Sequence, residues 1–349
     1  MRTRLKSLNL IHSVYMMFNF QSATRRQLLR AGLILGAGAG AGAIAFPVLT
    51  GQSRSATTPI QQGKVASSLF PVDAKGFTPM TAVREFDYGT VTQEQGRTGR
   101  EFRVEAKSGE IQLNEATKFI TWNLNDRIPG PTFRATEGDR IRVVFHNKAG
   151  HAHSMHFHGV HPSEMDGIKP IRNGQVFIYE FDAEPYGVQL YHCHVAPVAR
   201  HIGKGLYGMF IIDPKEARAP ADEIVLIMAG YDTNNDQKNE LYAFNGIPHY
   251  FMHHPIPIQQ NTLVRLYILN LIEYDVAASF HLHANMFGIN ATGASMSTTT
   301  QTDVITMGTA ERHILEFTYR NTGKFMFHPH QDFMAEAGCM GFFDVRPKA

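Results

Sequence analysis

A single cysteine flanked by histidines, in Tyr191-His192-Cys193-His194, constrains this chain more than any other feature. On an extended strand, neighbouring side chains point to opposite faces. His192 and His194 therefore project one way and Cys193 the other. One strand can then carry a metal centre on each face, with the backbone between them as an electron wire. A thiolate joined by two imidazoles, with a weak or absent axial ligand, is the donor set of a blue-copper electron-transfer site. Three more His-x-His pairs repeat the alternation: His156/His158, His281/His283 and His328/His330. Each pair can present two imidazoles to one metal cluster.

The pattern around these pairs is all-β from about Val83 onward. Short runs rich in aromatic and β-branched residues, such as Phe119-Ile120-Thr121-Trp122 and Val176-Phe177-Ile178-Tyr179-Glu180-Phe181, alternate with turn signals at Pro129-Gly130-Pro131, Glu137-Gly138-Asp139 and Asn173-Gly174. No sustained helical period appears, so the spacing predicts a β-sandwich or barrel. A polar, proline-bearing linker, Asp213 to Pro220, is followed by the same grammar in Ile224–Met228, Leu263–Leu269 and Ile314–Thr318. Each half has one His-x-His early and one late, which predicts a duplicated sandwich with domains at 81–215 and 216–349. Hydrophobic content of 43% supplies ample core, and a formal net charge of +2 argues against nucleic-acid binding.

Thr24-Arg25-Arg26-Gln27-Leu28-Leu29-Arg30 precedes an Ala/Gly/Leu/Ile run that ends near Pro47. Residues 1–50 read as a twin-arginine export signal, with Ala43-Ile44-Ala45 as a small-residue cleavage site. A transmembrane anchor would need a more apolar run with less glycine. Residues 51–80 read as a flexible linker. Export to the periplasm or out of the cell is expected, without stable membrane association.

His153, three residues before His156, joins Cys193 and His201 in a two-histidine, one-thiolate set. Leu206 stands where an axial ligand is expected and cannot ligate, which should raise a copper potential. Met209 is the other axial candidate. Zinc suits the chain poorly, since the histidine pairs of two domains do not make a compact tetrahedral site. Cys339 reads as a small buried residue. His249, His253, His254, His151, His161 and His313 read as ordinary loop histidines, although the first three can line a substrate pocket.

The motifs HSMHFHG and YHCH…H…GL, with FHLHANMF and FHPHQDFMAEAGCMGFF near the end, resemble the multicopper oxidases over roughly residues 83 to 346. The resemblance implies two tandem cupredoxin-like, Greek-key β-sandwich domains. It implies substrate oxidation at a type 1 copper on His153, Cys193 and His201. Dioxygen would be reduced to water at a trinuclear cluster on His156, His158, His192, His194, His281, His283, His328 and His330. With both sites filled the chain would carry about four coppers. Pro329 and Ala278 occupy the places where type 1 ligands stand in the last domain of larger members. That departure resembles two-domain, laccase-like oxidases with type 1 copper in the first domain. These are typically homotrimers with each cluster between neighbouring chains. A small reducing substrate is implied, and Asp166, in Met165-Asp166-Gly167, matches an acidic proton relay; Asp332 and Glu336 are alternatives. Two rivals stand beside this reading: a copper nitrite reductase, and a periplasmic copper binder or electron carrier. His156 and His194 favour the trinuclear cluster over the reductase, whose type 2 copper takes three histidines.

Overall fold

The structure, a computed structural model, describes residues 76–94 and 96–348. The expected export signal and most of the linker lie outside those residues. Among the described residues no helix is long and apolar enough to cross a membrane.

The first half contributes β1 (Thr90–Glu94), β2 (Arg97–Gln112), β3 (Lys118–Leu124), β4 (Phe133–Thr136), β5 (Arg140–Asn147), β6 (His156–Phe157), β7 (Val176–Asp182), β8 (Gly187–His192) and β9 (Tyr207–Asp213). The second contributes β10 (Asp222–Tyr231), β11 (Leu241–Phe244), β12 (Ile256–Gln259), β13 (Val264–Leu271), β14 (Ala277–Leu282), β15 (Phe287–Ala291), β16 (Thr300–Thr302), β17 (Val304–Gly308), β18 (Arg312–Phe317), β19 (Gly323–His328) and β20 (Gly341–Arg346). Short helices intervene: α1 (Pro79–Arg84), α2 (Val198–Gly203), α3 (Tyr250–His253) and α4 (Asp332–Glu336).

Four sheets result. The outer first-half sheet runs β1-β2-β5-β7, with β3 also on β2; the inner one runs β4-β9-β8-β6. The second half has an inner sheet β11-β10-β13-β18-β15-β16 and an outer sheet β12-β20-β19-β14-β17. The duplication reaches the pairing itself. Parallel β2–β5 is matched by parallel β10–β13, parallel β4–β9 by β12–β20, and antiparallel β6–β8–β9 by β14–β19–β20.

Strand alternation sorts the core into three layers. Phe210 and Ile212 of β9 face the first-half core with Phe102 and Val143. Met209 and Ile211 of β9 face the other way, onto Val225 and Ile227 of β10 and Leu269 of β13. Ile224, Leu226 and Met228 of β10 then face Phe280, Phe327 and Phe343 of the outer second-half sheet. The two inner sheets thus pack on each other, so β8, β9, β10 and β13 are buried on both faces. That is why they read as nearly continuous apolar runs. Arg134 of β4 ties the halves together: its guanidinium donates to Asp213 at 2.7 and 3.0 Å and to Glu223 at 2.6 and 3.0 Å.

Two differences from the sequence reading have plain causes. Val83 belongs to α1, not to a strand, because Thr78 and Thr81 form a capping box and Pro79 pre-sets the first turn. The long β2 carries charged residues and Gly99 and Gly109 on a partly solvated sheet, so its alternation lacks a strong apolar signal.

Candidate metal centre

Cys193 follows the last residue of β8, and its side chain turns into the first-half core with Leu206. His153 lies in the loop before β6, held by paired backbone bonds to Ile171 of 3.0 and 2.9 Å. His201 comes from α2. These three converge and are all buried. The two imidazole Nδ1 atoms are 3.1 Å apart, and the Cys193 sulfur is 3.2 Å from His201 Nδ1 and 3.8 Å from His153 Nδ1. The Ser154 N–H points at the sulfur from 3.5 Å. Leu206 shares the apolar pocket around the sulfur, whereas Met209 faces the core between the halves. Met209 is thereby corrected as an axial candidate: it lies on the wrong face of β9. Leu206→Met is expected to introduce a soft fourth donor and lower a bound copper's reduction potential, as read by redox titration of the blue band.

On the other side of Cys193 stands a second set. His156 pairs with His192 across β6 and β8. The His156 ring lies 5.2 Å from His192 and 5.0 Å from His194, and Nε2 of His158 meets Nε2 of His192 at 3.3 Å. The second half repeats this set. His281 pairs with His328 across β14 and β19, His281 and His330 rings are 5.1 Å apart, and Nε2 of His283 meets Nε2 of His328 at 2.9 Å.

Hydrogen bonds to carbonyls fix the tautomers. Nδ1–H of His156 donates to the Asp166 carbonyl at 2.8 Å and that of His281 to Asp303 at 2.8 Å. His192 donates to Cys193 at 3.0 Å and His328 to Pro329 at 2.8 Å. A carbonyl can only accept, so Nε2 of each ring keeps its lone pair for a metal. The backbone N–H of His194 donates to Ser154 Oγ at 3.3 Å and that of His330 to Ser279 Oγ at 2.7 Å.

Burial keeps the rings neutral. Desolvation, reinforced by neighbouring imidazoles and by Arg312, pushes His158 down to about 3; desolvation with His201 and His151 pushes His153 down to about 3. His192 and His201 fall to about 4, again chiefly by desolvation. Desolvation raises the Cys193 thiol, so ionising it demands a cation. His153 Nε2 and His194 Nδ1 are buried without a hydrogen-bond partner. Converging neutral imidazoles around a buried thiol, with orphaned nitrogens, fit copper. In the copper-free protein these four histidines take up protons on unfolding at a higher pH than in the folded state. Its thermal midpoint is therefore expected to fall as pH drops from about 6.5 toward 4, the histidine contribution being spent near 3.

Asp166 lies beside the first-half set, its carboxylate 3.2 Å from His156 Nδ1. Gly167 makes that turn at φ +78°, where a Cβ would sit 2.2 Å from the Met155 carbonyl oxygen. Asp332 and Glu336 sit on α4, where no hydrogen bond to a ligand histidine is formed among the described residues. Sequence reasoning passed over two neighbours. His161, an ordinary loop histidine by its sequence setting, brings its Nε2 to 3.8 Å from the Asp166 carboxylate. Asp303 is the second-half counterpart of Asp166, 3.9 Å from His281 Nδ1; it stands much further along the chain from its histidine pair than Asp166 does, so no spacing signals it. His249, His253 and His254 join no converging set of donors among the described residues.

Family models described as multicopper oxidase match residues 105–217 and 218–349. A solved structure described as a multicopper oxidase is 45% identical, with a TM-score of 0.76, covering 78% of this chain and 98% of its own. The chain belongs to the multicopper oxidases, and its two sandwiches are cupredoxin-like. Curated relatives match over less. A copper-containing nitrite reductase of Neisseria meningitidis is 28% identical over 131 residues, 37% of this chain and 34% of that protein. A copper resistance protein A homolog of Pseudomonas syringae pv. tomato is 32% identical over 131 residues, 36% of this chain and 21% of that protein. The matched segment thus spans about a third or less of those relatives' length.

Proposed function

We propose that this chain is a laccase-like oxidase. It couples one-electron oxidation of a small donor, a phenol or a metal ion, at His153, Cys193 and His201 to reduction of dioxygen to water at the eight-histidine set. The observation that carries the reading is the position of Cys193 between His192 and His194. One short backbone path joins the buried thiolate set to the cluster set.

Copper, when bound, supplies one-electron chemistry at the first set and dioxygen reduction at the second. The chain does the rest. Carbonyl bonds hold four imidazoles with Nε2 inward. The apolar pocket around Cys193 keeps water from the sulfur. Asp166, with its carboxylate against His156, stands where it can relay a proton to the cluster face. Eight imidazoles exceed what one mononuclear centre takes, which favours the oxidase over a nitrite reductase.

The cluster is completed between chains. Its halves sit on the inner first-half sheet and the outer second-half sheet, with the inner second-half sheet between them. Sheets stack about 10 Å apart, so two spacings, roughly 20 Å, separate the halves within one chain. An open cavity of about 1110 Å³ lined by His281, His283, Met286 and Asp303 fronts the second-half set. Exposed Val160 and Ile168 flank the first set, and exposed Met286 and Val304 the second. A ring of three chains joins each first half to a neighbour's second half. The copper-loaded trimer functions outside the cytoplasm, where the Arg25-Arg26 signal would send it.

The test is consumption of the acceptor with a phenolic donor. Oxygen uptake without nitrite loss is expected; nitrite consumed in its place would make the chain a reductase.

A further inference from the structure

Trp122 is the chain's only tryptophan, and it lies on the thiolate set. Its ring centroid is 5.3 Å from that of His153 and 4.7 Å from that of His201. Both imidazoles are buried, whereas Trp122 is half-buried and so reaches solvent. The ring also meets exposed His151 at 5.1 Å. Its backbone N–H donates to the Lys204 carbonyl at 3.0 Å, which ties β3 to the end of α2.

Two cations crown this position. The Arg200 guanidinium carbon stands 5.7 Å over the Trp122 ring, and the Lys204 ammonium 4.0 Å from the Phe119 ring. Arg200 is exposed, and neither cation has a carboxylate within ion-pair distance among the described residues. Asp232 acts on Lys204 only through space. Among the described residues the Arg200 guanidinium has no carboxylate partner and stands over the face of an aromatic ring instead.

We propose that Trp122 is the port through which electrons enter the His153/Cys193/His201 set, and that Arg200 selects anionic donors over cationic ones. The inference rests on the oxidase reading and narrows its substrate: small aromatic or inorganic anions are favoured, and metal cations disfavoured. Electron transfer falls steeply with distance, and an aromatic ring against both imidazoles shortens the gap. The donor loses one electron, copper(II) at the thiolate set gains it, and no bond or proton changes place. The Arg200 guanidinium raises the local concentration of anions and repels cations, less so at high salt.

Fluorescence tests the charge selection without turnover. In the copper-free full-length chain all tryptophan emission comes from Trp122. Iodide, normalised to free N-acetyltryptophanamide, is expected to quench it about threefold or more better than caesium. Arg200→Gln is expected to remove most of that preference. Equal quenching by the two ions in the unaltered protein, or no change in the variant, overturns the selection. The second arm follows anaerobic bleaching of the blue band in the copper-loaded protein. Arg200→Gln is expected to slow reduction by hexacyanoferrate(II) about five- to tenfold and to leave hexaammineruthenium(II) unchanged or faster. Equal slowing of both donors overturns the selection. Trp122→Leu is expected to slow both donors; an intact band with unchanged rates overturns the port. A protein that takes up copper without a blue band would refute the oxidase reading and the port with it, while the fluorescence result would still decide the charge selection.

Discussion

Cys193→Ser is expected to erase the blue band and cut turnover by more than about a thousandfold, while the chain still folds. The sulfur closes a triangle with the Nδ1 atoms of His153 and His201, 3.8 and 3.2 Å from them. A serine hydroxyl is a hard donor that does not ionise there, so the soft site is lost. The histidines on the other face do not depend on the sulfur, since the His192 ring is fixed through the Cys193 carbonyl and the His194 backbone through Ser154. Copper at the histidine cluster should therefore persist without the electron path that feeds it. The stability cost is about 1–2 kcal/mol, because the hydroxyl enters a largely apolar pocket where its polar neighbours are the Ser154 N–H and the Nδ1 atoms of His153 and His201. Absorption spectra, copper content and oxygen uptake check all three expectations together. A serine variant that still oxidised donors at a comparable rate would show that Cys193 is not on the path.

The largest architectural effect concerns pairs of variants. His158→Gln in the first half and His283→Gln in the second are each expected to reduce oxygen uptake to background, with the blue band retained. Produced together in one cell, they should recover about one quarter of full activity. Chains drawn at random meet at a junction whose first half comes from the His283 variant and whose second half comes from the His158 variant one time in about four. The physical basis is the intervening sheet β11-β10-β13-β18-β15-β16, which keeps the two sets apart in one chain. If each cluster formed within a chain, every chain in the mixture would carry a defect and activity would stay at background.

Much of the site was legible in the sequence because strand alternation is a rigid rule. His192, Cys193 and His194 distribute to two faces even though the strand formally ends at His192. The cross-strand pairs His156–His192 and His281–His328 are set by strand register, which the alternation alone does not specify. What lay beyond reach came from tertiary structure. Asp303 is supplied by the segment between β16 and β17 and meets His281 through packing. Trp122 reaches the thiolate set from β3, far from Cys193 along the chain. Met209 was a plausible axial donor by distance in sequence, but the face of β9 to which it belongs is fixed by register. The burial of β8 and β9 on both faces depends on the second half docking against them; their continuous apolar runs signal that burial without naming the sheet that covers them.

The most direct measurement of the central claim is an anaerobic reductive titration of the copper-loaded protein, followed by admission of oxygen. The oxidase account predicts about four electron equivalents per chain and rapid reoxidation by dioxygen alone. About two equivalents, with reoxidation by nitrite and not by oxygen, would contradict it.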